Sequence, residues 1–165
     1  RRPAMYHPGE YVVRNGCGVC RVEEVTYLGA RQYYTLVPLS DQAAKLYVPV
    51  DLSHTLLRDV LTAEDAWRTI QSIPSIEGIP IENDKDRERS YKDALHSGSP
   101  LALIQVIKRI HQRNQQRASQ GKSVMDMDKR YCKLALDKLH EELAFALGKE
   151  KSEMPSLIQQ AIQNH

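Results

Sequence analysis

The 165-residue chain has only three cysteines, one tryptophan and one phenylalanine. Cys17, Cys20 and Cys132 cannot all pair within one chain, which argues against a secreted scaffold built on disulfides. No apolar run approaches the roughly 18 residues that a membrane span requires, and the N-terminal stretch lacks the apolar centre of a secretory signal. A cytoplasmic location is the default expectation. Catalytic signatures are also missing. The six histidines, His7, His54, His96, His111, His140 and His165, show no H-E-x-x-H or comparable ligand spacing. No glycine-rich phosphate loop opens a helix, and no serine stands in a nucleophile elbow. His140 with Glu141 and Glu142 reads as a solvated helix face. These absences argue against an enzyme and against a cofactor. No repeat or low-complexity tract occurs.

One feature hints at metal or redox chemistry, the C-x-x-C of Cys17 and Cys20. A structural zinc site needs a second ligand pair, and none follows at suitable spacing. A redox motif belongs between a strand and a helix, whereas this one lies in a Gly-flanked turn leading into a strand. The expectation is a turn residue plus a strand residue, with no metal.

What is present has globular proportions, 41% hydrophobic and 27% charged, with a net charge of +2. Residues 1–4, RRPA, read as an appended leader before a native start at Met5. The texture then changes near Leu57. Before it, β-branched and aromatic runs are punctuated by glycine and proline; after it, nearly everything reads as capped amphipathic helix. The predicted fold class is α+β, with a domain boundary between residues 57 and 58.

In the first part, Glu10 to Arg14 favours a strand, Asn15-Gly16 a tight turn, and Val19 to Tyr27 a second strand. Its alternation slips between Val22 and Val25, as a bulge would make it do. Leu28-Gly29-Ala30 turns into Arg31 to Pro38, and Asp41-Gln42 turns into Ala44 to Val50. Four or five short strands with hardly room for a helix predict a bent SH3-like or Tudor-like small barrel, which offers strand edges and no reaction pocket.

In the second part, Thr62 with Asp65 caps a helix over 63–73, stopped by Pro74. After a loop rich in proline and isoleucine, a second helix spans about 85–96. Ser99-Pro100 opens a third that runs to about Ser119, with Leu103, Ile104, Ile107 and Ile110 facing a core. Ser123 with Asp126 offers a capping box for a fourth helix, which stacks Cys132, Leu136, Leu139, Leu143 and Leu147 on one stripe and ends at Gly148. A short last helix spans about 154–163. Trp67 shares helical spacing with Ala63 and Ile70, which predicts a packing role.

Acidic residues are wholly absent from Leu101 to Lys122, where Lys108, Arg109, Arg113, Arg117 and Lys122 stand. Arg109, Arg113 and Arg117 recur every four residues, so they are expected along one face opposite the isoleucines. A phosphate backbone suits such a line. The bland reading is a solvated face balanced by acids of neighbouring helices, such as Glu141 and Glu142.

The run HPGEYVVRNGCGVCRVEEV, the strand ending YVPV, then LLRDVLTAEDAW and RERSYKDALHSGSPLALIQVIKRIHQR, resemble the CarD family of bacterial RNA-polymerase-binding transcription regulators. The resemblance covers Met5 to about Leu147 and is most specific from Arg89 to Arg113. It implies a Tudor-like domain, shared with the transcription-repair coupling factor, that docks on the polymerase β subunit by pairing a strand edge. It also implies a helical domain on promoter DNA at the upstream edge of the bubble, favouring the open complex, in a cytoplasmic, nucleoid-associated protein. Two positions depart from the family pattern. Aligned on Tyr91 and Lys92, Arg87 replaces a tryptophan that wedges into the minor groove, and Tyr47 replaces an arginine before the last barrel strand's V-P. The expected DNA-contacting residues are Arg87, Arg89, Lys92, Lys108, Arg109, Arg113 and Arg117. Those expected at the polymerase are Arg21, Arg31, Tyr34 and Tyr47. A monomer is favoured. The competing expectation is a protein-interaction adaptor whose helical half docks on another protein of the transcription or repair machinery without touching DNA.

Overall fold

Turn chemistry builds the first half of the protein. In the computed structural model, which describes residues 5–163, strand β1 (Tyr11–Arg14) reverses into β2 (Gly18–Leu28) with Gly16 at φ 84° and Gly18 at φ 97°, a region that side chains rarely adopt. The leader expected at residues 1–4 lies outside the described residues. A register shift between Val22 and Glu24 bends β2 where the alternation slips. Past Gly29, β3 (Arg31–Pro38) runs back along β2, and β4 (Leu46–Pro49) pairs with β3. A 3-10 turn at Val50–Leu52 and a one-turn helix α1 (Ser53–Leu56) then lead to β5 (Leu57–Asp59), which pairs with β1. All neighbours are antiparallel, in the order β4-β3-β2-β1-β5. Val12, Cys20, Val22, Tyr34, Leu36, Val48 and Leu57 form the core of this unit. Cys20 is therefore the strand residue expected, with its thiol 3.5 Å from the Gly18 carbonyl oxygen.

The chain divides into two compact units between Val60 and Leu61. The boundary expected after residue 57 falls inside β5. That strand is three residues long, two of them charged, so it carries no alternation that would extend the sheet module in the sequence.

The helical unit follows its caps. The Thr62 hydroxyl accepts from the Asp65 amide at 3.1 Å and opens α2 (Ala63–Ser72). A 3-10 turn at Asp84–Asp86 leads into α3 (Arg87–Ser97), which ends on Gly98 at φ 66°. The Ser99 hydroxyl accepts from the Ala102 amide at 3.1 Å, and α4 (Pro100–Ser119) follows. The box expected from Ser123 does not form: α5 (Asp126–Leu147) begins after Met125 with no side-chain cap. Ser123 instead gives its carbonyl to the Arg117 Nε at 2.7 Å. Helix α6 (Met154–Gln163) closes the described chain. Ile70, Tyr91, Ile104, Val106, Ile110, Ala135, Leu143 and Met154 make the centre of the second core. Trp67 lies outside that core and is 38% exposed, because Ala66 and Ile70 mark the inward face of α2.

The isoleucine-rich loop between α2 and α3 is a packed element. Ile76, Ile79 and Ile81 pack on the helical core, and the Ile79 amide donates to the Gln105 carbonyl at 3.0 Å. Gly78 lies so near α4 that a Cβ there would stand 3.1 Å from the Arg109 backbone, so any side chain would press α4 outward.

Candidate functional site

Strand β4 is an outer strand of the sheet, with β3 as its neighbour on one side. An outer strand leaves backbone groups free to pair with another chain. Tyr47, in its middle, is 58% exposed. Arg31 opens β3 and sits over the Tyr33 ring, donating from Nε and Nη2 to Asp51 at 3.3 and 3.4 Å. Arg21 is half-buried on β2, 3.9 Å from Glu23, which Lys45 approaches to 3.0 Å.

Tyr34 is a correction to the expected polymerase-facing set. It is completely buried, its hydroxyl accepting from the Tyr6 amide at 3.0 Å and donating to the Met5 sulfur at 3.3 Å. The pleat decides this: Tyr34 stands opposite Val48 and shares its face with Leu36, both in the core. The β2–β3 turn carries a surface that sequence reasoning missed, with Tyr27 and Leu28 at 69% and 58% exposure.

In the helical unit five polar residues close a ring across three helices and the 3-10 turn before α3. Arg87, first in α3, donates from Nε to Asp84 at 2.9 Å and from Nη1 to the Tyr91 hydroxyl at 3.3 Å. The Tyr91 hydroxyl donates to Asp128 of α5 at 3.2 Å. The other Asp128 oxygen lies 3.6 Å from the Arg113 Nε of α4, and the Arg113 Nη1 returns to Asp84 at 3.8 Å. Asp128 is fully buried, while Arg113 and Arg87 keep only 17% and 14% of their side chains exposed. Burial, opposed by Arg87 and reinforced by Asp128, pushes the Tyr91 hydroxyl up, so it stays protonated and can donate. Hydrogen bonding from Arg87, with the Arg113 charge nearby, holds the Asp84 carboxyl below its usual range.

Beside the ring lies a groove of about 590 Å³ lined by Arg87, Arg109, Arg113, Asp84, three glutamines and Ser119. The Arg109 Nε donates to the Ile79 carbonyl at 2.7 Å, tying α4 to the preceding loop.

Family models place this architecture. The model of the CarD-like/TRCF RID domain matches residues 6–61, and that of the CarD C-terminal domain matches residues 74–159. The chain belongs to the CarD family. It is thereby an RNA-polymerase-interacting transcription factor, of a family that works without catalysis. A comparison with curated proteins finds no match.

Within this CarD-family helical domain, the structure brings together three of the seven basic residues expected at DNA: Arg87, Arg109 and Arg113. Arg117 folds back on the α4–α5 connection. Lys108 instead lines an apolar cavity of about 710 Å³ with Ile107, Leu139 and His140. Arg89 and Lys92 are exposed on α3, Arg89 donating to Asp86 at 3.0 Å. Of the arginines expected in a line along one face of α4, Arg113 meets carboxylates, while Arg109 and Arg117 donate to backbone carbonyls. Those carboxylates are Asp84 and Asp128, where the bland reading named Glu141 and Glu142 as examples. Glu142 is buried and accepts from the Leu61 amide at 3.0 Å. Asp128 did leave a signal in the sequence: it falls on the same helical stripe as Tyr131, Cys132 and Ala135, where an acid is out of place.

Proposed function

We propose that this chain holds the polymerase β subunit along the β4 edge and promoter DNA with the helical unit, favouring the open promoter complex. The observation that carries the reading is the outer side of β4, unpaired among the described residues, with Tyr47 exposed upon it, in a domain of the polymerase-interacting family. Edge pairing needs no pocket, and tyrosine covers a partner surface while donating one hydrogen bond. The DNA half of the proposal rests on Arg89 and Lys92, which face solvent one turn apart on α3. A protein that binds the melted promoter in preference to the closed one shifts the equilibrium toward melting by mass action. The expected location is the cytoplasm, at the nucleoid.

The test uses the full chain. Tyr47→Asp should release it from the isolated β lobe in a pull-down. Arg89→Glu with Lys92→Glu should leave polymerase capture intact, remove footprint protection upstream of the bubble and shorten open-complex lifetime. Retention of the Tyr47→Asp chain by the lobe would dismiss the edge. Unchanged footprints in the double variant would favour the adaptor reading, which the internal pairing of Arg87 and Arg113 already makes worth testing.

A further inference from the structure

The arginine groove is built beyond what holding the helices together requires. Its lining has three guanidiniums, three neutral amides and one hydroxyl against a single carboxylate, Asp84. That carboxylate belongs to a 3-10 turn, and its side chain is 78% exposed. It reaches the Arg87 Nε at 2.9 Å but stops 3.8 Å short of the Arg113 Nη1, which is buried and has no hydrogen-bond acceptor. A buried guanidinium nitrogen without an acceptor is costly, and a two-oxygen group on a short stem does not span both arginines. A phosphate, with three or four oxygens set tetrahedrally, does.

We propose that this groove is a phosphate-binding site, and that in the free protein the Asp84 carboxylate occupies part of the phosphate's place. Arg87 and Arg113 hold the anion from the ring side. Arg109, whose Nη1 donates to Gln112 at 3.2 Å, flanks it, and Gln116 offers a neutral side-chain donor, while the Ser119 hydroxyl donates to the Gln116 carbonyl at 2.7 Å. The groove's volume of about 590 Å³ admits a phosphate together with the sugar it esterifies. The phosphate can come from the backbone of DNA or from a free nucleotide. The first source rests on the DNA contact proposed above; the second does not.

Two substitutions test the site without touching an arginine. Asp84→Asn removes the internal competitor and should tighten phosphate binding about three-fold, the scale of one exposed ion pair. Gln116→Glu places a carboxylate in the groove and should weaken binding by a similar factor. The full chain is titrated with inorganic pyrophosphate, followed by the NMR signals of the arginine Nε–H groups, and with a short duplex, followed by fluorescence anisotropy. Thermal melts check that both variants fold. Opposite responses with pyrophosphate alone assign the site to free phosphate esters, and opposite responses with the duplex alone assign it to backbone phosphodiester. If neither probe distinguishes the two folded variants from the parent chain, the site is overturned. Loss of footprint in the Arg89→Glu, Lys92→Glu variant is read separately, so the DNA proposal and the groove can fail independently.

Discussion

Arg31 and Arg113 each face an aspartate, yet the two pairs do different work. The Arg31–Asp51 side chains are 46% and 66% exposed, while those of Arg113 and Asp128 are 17% and 0% exposed. Water competes for the first pair, so either member can be surrendered to a partner at little expense in folding free energy. The second pair has lost most of its hydration, and removing one member strands the other. The sheet unit thus keeps its charges available beside the outer strand proposed for recognition. The helical unit uses part of its charge to hold α3, α4 and α5 together and leaves a donor-rich groove beside them.

Asp128→Leu should break that contrast most severely. It leaves Arg113 buried beside an apolar group and is expected to cost about 3 kcal/mol, read as a fall in the urea midpoint at constant slope. A loss no larger than that of an exposed pair would mean that Arg113 relaxes to solvent. Next, Gly78→Val presses a branched side chain against the Arg109 backbone and should cost about 2 kcal/mol as the loop lifts from α4. Faster amide exchange at Ile79, whose bond to Gln105 would open first, is the local check.

On the sheet side, Tyr34→Phe keeps the ring but orphans the Tyr6 amide, for a loss of about 1 kcal/mol. Retention by polymerase should not change, and impaired retention with an intact fold would return Tyr34 to the interface. Smallest of all, Asp51→Asn should leave the urea midpoint where it is. A clear destabilisation there would erase the difference between the two units.

Much of this was legible in the residues. Thr62, Ser99 and Gly148 punctuate the helices as their cap chemistry demands, and the Val22–Val25 slip marks the bulge. These are local effects, settled within one turn of chain. Strand β5 was not legible, because its pairing with β1 joins residues over forty positions apart. Ser123 misled because a carbonyl acceptor for Arg117 and a capping hydroxyl look alike in sequence. The site residues divide in the same way. Tyr47 was placed at the surface only by its alignment with a family arginine, and it is exposed. Tyr34, one of two adjacent tyrosines, needed the register against Val48 to place it inside.

By itself the sequence determined the class of fold and the order of helices, since periodicity, caps and turn residues act over a few positions, while the family was visible in it as a resemblance of motifs. Only the tertiary structure decided which charges are spent. Arg113 of α4 meets Asp84 and Asp128 through packing between elements distant in the chain, and burial turns what would be a weak exposed attraction into a ring that links three helices.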